Sequence, residues 1–224
     1  MTKNDKVLIF SKTEGFRHDC IPTATRALEV MSKSINVDID KTEDASDFTL
    51  ENLEKYGAVI FLNTTGDVLN SEQEAAFETY INGGGGYVGI HAAADTEHDW
   101  DFYGRLVGAY FVDHPNDPNI RQATVNVLDK NHKSTQHLPD TWYRNDEWYN
   151  YRNIQEDNIT LMTLDESSYE GGSNGEFHPI AWYKEFEGGR MFYTGGGHTS
   201  ASYADSFFNK HIKGGIEYVL QRDE

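Results

Sequence analysis

Cysteine is nearly absent from this 224-residue chain: Cys20 stands alone, which excludes an intrachain disulfide and any CxxC metal or redox pair. Basic residues are scarce, with 19 Lys and Arg against 37 Asp and Glu, for a formal charge of −18. A chain without a basic stripe suits neither a phosphate backbone nor an anionic membrane surface, so no nucleic acid partner is expected. No stretch reaches 18 apolar residues, so no membrane insertion is expected, and Met1 to Asp5 is too short and polar for a signal peptide. The chain as it stands reads as soluble and cytoplasmic; a secreted or periplasmic address would require a leader that has been removed. Internal repeats and low-complexity linkers are also missing. What is present, 38% hydrophobic and 13% aromatic residues, suffices for a full core, and one domain spanning residues 1–224 is expected.

The first half alternates strand and helix in the βαβ manner that implies a parallel sheet. Lys6-Val7-Leu8-Ile9-Phe10 reads as a buried strand, and Pro22 opens a helix in which Ala24, Ala27, Leu28 and Met31 recur at i, i+3, i+4, i+7. Val37 to Ile39 reads as a second strand, Leu50 to Tyr56 as a short helix, and Gly57 to Leu62 as a third strand. Ser71-Glu72-Gln73-Glu74 reads as a capping box opening a helix through Ile81, which Gly83 to Gly86 ends. From about Phe111 the rhythm turns β-rich, with strands over 123–128, 142–151, 159–164, 180–186 and 190–194. A last helix carries Phe208, Ile212, Ile216 and Val219 on one face. The expected fold is α/β, a doubly wound parallel sheet with a β-rich insertion or lid in the second half.

Gly89-Ile90-His91-Ala92-Ala93 has the layout of a nucleophile elbow with a histidine at its centre. The β-forming run from Gly86 to Ile90 leads into a candidate helix, and the residues two before and two after His91 are small. That pattern predicts an imidazole standing at a strand's carboxyl end and open to a cleft, where it can serve as acid, base, metal ligand or hydrogen-bond partner. Open α/β sheets bind ligands at those strand ends. Gly15-Phe16-Arg17-His18, Asn63 to Asp67, His91 with Asp95, and Gly195-Gly196-Gly197-His198 all follow strands and would share one rim. Further candidates are His114 before Pro115, Glu147 in Asp146-Glu147-Trp148-Tyr149, and His178-Pro179 heading the strand that holds Trp182.

Alternation places Glu147 on one face with Tyr143, Tyr149 and Tyr151, an acid among aromatics that suits a sugar, although core packing or sheet-edge cover is the commoner explanation for such rings. His98, His132, His137 and His211 read as solvated or locally bonded. The Gly83 to Gly86 tract lacks a following Lys-Ser/Thr and is a helix stop rather than a phosphate loop, whereas Gly195 to Gly197 could bring backbone N–H groups to a ligand.

Taken in order, Val7 to Ser11 with Gly15 to His18, Gly86 to Ala93, Asp146 to Tyr149, His178 to Trp182 and Gly189 to His198 resemble the ThuA (trehalose-utilisation) family over nearly the whole chain. The resemblance implies a flavodoxin-like fold related to class I glutamine amidotransferases, with the elbow cysteine replaced by His91. It also implies a link to disaccharide and keto-sugar catabolism, with a sugar oxidoreductase as companion. Some relatives present His-His-Pro where this chain has Asp113-His114-Pro115, so a second histidine ligand at 113 is missing. No motif demands a cofactor. A divalent metal such as zinc would need about three protein ligands, which His18, His91, His114, Glu147, His178 and His198 are chemically able to supply, but no close pair such as HxxxH fixes a geometry.

The expected function is action on a sugar or keto-sugar, by hydrolysis or isomerisation, with His91 and Glu147 as the acid/base pair. Arg17, His18, Asp95, His114, His178 and His198 would bind or orient the substrate, and Trp182 with nearby tyrosines would stack on its ring. The alternative is a non-catalytic carbohydrate-binding or accessory module on a disabled amidotransferase fold. A working glutamine amidotransferase is excluded by the missing thiol at the elbow.

Overall fold

Uninterrupted apolar runs build the middle of the sheet. In this computed structural model, which describes residues 5–222, strands β1 (Lys6–Phe10), β3 (Ala58–Leu62) and β4 (Gly86–Ile90) are buried almost throughout. Residues 1–4, most of the segment judged too polar for a signal peptide, lie outside the described residues. With β2 (Asp38–Thr42) and β11 (Gly189–Thr194) these strands pair in parallel in the order β2-β1-β3-β4-β11, the flavodoxin-like arrangement. Parallel strands of this kind are covered on both faces. On one face Tyr87 of β4 meets Phe77 of α3 (Ser71–Asn82), which packs beside α2 (Leu50–Leu53). On the other, Phe192 of β11 meets His211 of α5 (Ser206–Val219), which packs beside α1 (Ile21–Lys33). The sheet is wound from both sides. The short helix α4 (Asp101–Val107) follows the elbow.

The β-rich second half does not form a lid. From β11 the sheet continues antiparallel through β10 (His178–Phe186), β9 (Ile159–Asp165), β6 (Ile120–Val127) and β7 (Thr141–Glu147), for nine strands in all. β5 (Tyr110–Asp113) and β8 (Asn150–Arg152) pair separately. The strand expected over 142–151 is therefore two, broken where Trp148 is buried and donates its indole N–H to the Arg121 carbonyl at 2.8 Å. The cap of α3 also sits one residue earlier than the Ser71 box. Asn70 accepts from the amides of Glu72 and Gln73, and its own N–H is taken by Gln73 Oε1 at 2.8 Å. Among the described residues no helix is long and apolar enough to cross a membrane.

Candidate functional site

Glycine at the elbow has a steric cause. A Cβ at Gly89 would lie 2.8 Å from the Tyr87 hydroxyl and 2.9 Å from the Tyr193 ring. His91 itself adopts φ +50°, the left-handed turn that lifts a side chain off the strand end, and its carbonyl accepts from the Tyr193 hydroxyl at 2.8 Å. The elbow leads into a 3-10 turn over His91–Asp95 rather than an α-helix. The imidazole is not open to a cleft as the motif predicts: it is fully buried, and what surrounds it is polar as well as aromatic.

His18, following β1, His91, following β4, His198, following β11, and Glu147, ending β7, come together with one ligand-capable atom each, all within 4.8 Å of one another. His198 Nδ1 lies 2.9 Å from Glu147 Oε2, His91 Nε2 lies 3.3 Å from the same oxygen, and the two ring nitrogens are 3.2 Å apart. His91 Nδ1–H donates to the Gly195 carbonyl at 2.7 Å, which assigns the lone pair to Nε2 on the cluster side. The His18 ring stands edge-on to both His91 and His198 at about 5 Å, and its Nδ1 is buried without a partner. Burial acts to raise Glu147, but the hydrogen bond from His198 and the His91 ring beside it outweigh burial and hold the carboxyl below the usual carboxylate range. Burial, reinforced by His91 and His198, pushes His18 down to about 3.

Two supports were not legible as site residues. Asn119 donates its side-chain N–H to Glu147 Oε1 at 2.8 Å, which leaves Oε2 to face the histidines. Asp146, fully buried, accepts from the backbone N–H of Gly197 and of His198 at 2.9 and 3.0 Å, and from Arg144 and Ser202. The N–H of Gly197, at φ +115°, is therefore spent on Asp146 and not on a ligand. The only signal for Asp146 was its place beside Glu147; Asn119 carried none.

The other candidates separate. His114 Nε2 reaches Glu147 Oε1 at 3.5 Å and its side chain is a quarter exposed, placing it beside the cluster. Tyr149 stacks on His91 with ring centroids 4.2 Å apart. Tyr143 shares the face of Glu147 within β7 but is 67% exposed, whereas Glu147 at the strand end is covered; the alternation does not run on to Tyr149 and Tyr151, because β7 ends at Glu147. His178 is buried behind, bridging Glu166 and the Tyr149 carbonyl. Asp95 pairs with His98 at 2.9 Å, and exposed Arg17 is held bidentately by Glu43, so neither joins the four. Trp182 cannot stack on a substrate: it is fully buried, donates to the Val107 carbonyl and lies against Tyr193. Phe16 offers the exposed ring instead, 66% accessible and edge-on to His18 at 4.9 Å. His211, read as solvated or locally bonded, is buried in α5 and donates to the distant Ser134 carbonyl. Cys20 lies against the Gly197 carbonyl, and burial pushes its thiol up to about 12, which removes it as a nucleophile.

A family model described as trehalose utilisation, ThuA, matches residues 6–219. A solved ThuA-like protein from Bacteroides uniformis is 24% identical, with 98% of this chain and 93% of that one covered at a TM-score of 0.79. Another from Parabacteroides merdae is 22% identical, with 98% and 91% covered at 0.78. A beta-galactosidase from a Rahnella species shares the fold over 98% of this chain but 32% of its own, at 13% identity and a TM-score of 0.60. No curated protein matches the chain.

Proposed function

The chain belongs to the trehalose-utilisation family ThuA, and from that membership we propose that it acts on a sugar or keto-sugar derived from a disaccharide, by hydrolysis or isomerisation. The observation that supports this most is the convergence of His18, His91, Glu147 and His198 at strand ends, where α/β sheets place their ligand sites. His91 Nε2, His198 Nδ1 and Glu147 Oε2 are close enough to share one proton. In this proposal His91 and Glu147 are the buried acid/base pair, and His198, the most accessible of the four, exchanges the proton with the substrate. Its Nδ1–H is oriented by Glu147, which leaves Nε2 to take a proton from a hydroxyl or from a carbon beside a keto group, as a carboxylate orients histidine in a hydrolase triad. Phe16 supplies the apolar platform for the ring, and His114 a second accessible hydrogen-bond partner. A sugar oxidoreductase would supply or consume the keto-sugar.

The test is product analysis over a panel of disaccharides and their 3-keto derivatives. Turnover is expected in the wild type, and Glu147→Gln, which keeps shape but cannot titrate, should lower kcat by about 10²–10⁴-fold. The near-closure of the cluster favours one second reading, a carbohydrate-binding module in which the four groups are structural. Tight sugar binding without conversion of any panel member would establish that reading and end the first.

A further inference from the structure

We propose that His18, His91, His198 and Glu147 form a site for one divalent cation of the zinc class. Bonds of about 2.0–2.2 Å in a tetrahedral site set neighbouring ligand atoms ~3.3 Å apart. His91 Nε2, His198 Nδ1 and Glu147 Oε2 already stand 2.9 to 3.3 Å from one another, so a cation enters with side-chain adjustments of a few tenths of an ångström. His18 closes the fourth side, with all four ligand atoms inside 4.8 Å.

Hydrogen bonding favours the same occupant. With the His91 proton committed to Gly195 at Nδ1, its Nε2 lone pair faces a carboxylate oxygen and a second imidazole nitrogen. One hydrogen on His198 can serve only part of that set, and buried His18 Nδ1 has no partner at all. A cation takes lone pairs from every member at once. The groups behind the ligands match the usual support of a metal centre: a backbone carbonyl orients His91, and Asn119 holds the far oxygen of Glu147. Three imidazoles and one carboxylate select zinc, cobalt, nickel, copper or iron over magnesium and calcium, which take oxygen ligands. Asp113 is not among the four. It accepts from Asn150 instead.

This inference does not rest on the carbohydrate proposal, because binding is read without sugar; a bound cation would take the place of the proton shared by His91, His198 and Glu147, so the acid/base reading belongs to the metal-free protein. Tag-free protein stripped with chelator is titrated with Co(II), then competed with Zn(II). One equivalent should bind with the visible ligand-field bands of a four-coordinate N/O site, and zinc should displace it and raise Tm. His18→Ala and Glu147→Gln should each weaken binding by more than the about 10–100-fold expected for Asn119→Ala, which removes only the support of a ligand. Near-ultraviolet circular dichroism of the metal-free variants confirms folding. Should a ligand variant fail to fold, the wild-type titration and Asn119→Ala decide the matter. The proposal is overturned if wild-type protein shows neither cobalt bands nor a Tm shift at millimolar metal, or if folded variants bind as wild type does. Intact metal binding with no turnover of any sugar would count against the carbohydrate proposal alone.

Discussion

Gly89 is where the elbow is tightest. Its missing side chain makes room for the Tyr87 hydroxyl and the Tyr193 ring, the same tyrosine that holds the His91 carbonyl. Gly89→Ala should therefore destabilise the protein by about 1–3 kcal/mol through overpacking, seen as a lower urea midpoint at unchanged m-value. An unchanged midpoint would mean that the small residue is not what the turn needs. This much was legible in the sequence, because an elbow imposes small neighbours locally. The exposure of its histidine was not, since Glu147 and His198 close over it from strands far along the chain. Asn119 and Asp146 escaped for the same reason: each acts through a partner set by strand pairing, and no spacing in the sequence records it. Trp182 was ambiguous because an indole reads alike whether it covers a sugar or fills a core.

At the level of elements, the apolar runs of β1, β3 and β4 announced themselves, since a strand buried on both faces needs no alternation. The antiparallel half was legible as strands but not as one sheet, because partner choice depends on contacts between distant segments. The α3 cap shows how fine the margin is. Asn70 with Gln73 and Ser71 with Glu74 both offer a capping box, and the chain forms the first. Asn70→Ala should cost about 1 kcal/mol in urea unfolding, while Ser71→Ala, already inside the helix, should change stability by no more than a few tenths. Equal losses at the two positions would place the cap back at Ser71.

Across the whole molecule, buried titratable groups tie stability to pH. Burial pushes His211 down to about 3, so below its unfolded value near 6.5 the unfolded chain binds a proton that the fold refuses. Its contribution is present above pH 6.5 and is lost as pH falls toward 3, amounting to about 2 kcal/mol between pH 7.5 and 5. Burial raises Glu97 to about 7, which acts in the opposite sense: its contribution is complete below about 4.5 and fades as pH rises through 7. His211→Asn, which keeps a donor for the Ser134 carbonyl, should flatten the acid side of a stability-against-pH curve; a curve parallel to wild type would show that His211 titrates normally in the fold. The seam between β4 and β11 has a different consequence, one of timing. These neighbours in the sheet are separated by about a hundred residues of chain, so during synthesis β4 leaves the ribosome long before its partner exists and waits as an open strand edge, the kind that invites foreign pairing. His198 arrives later still, after β11. A nascent chain thus cannot bring His18, His91, Glu147 and His198 together until nearly all of it has been made, and a product truncated before residue 189 would be adhesive.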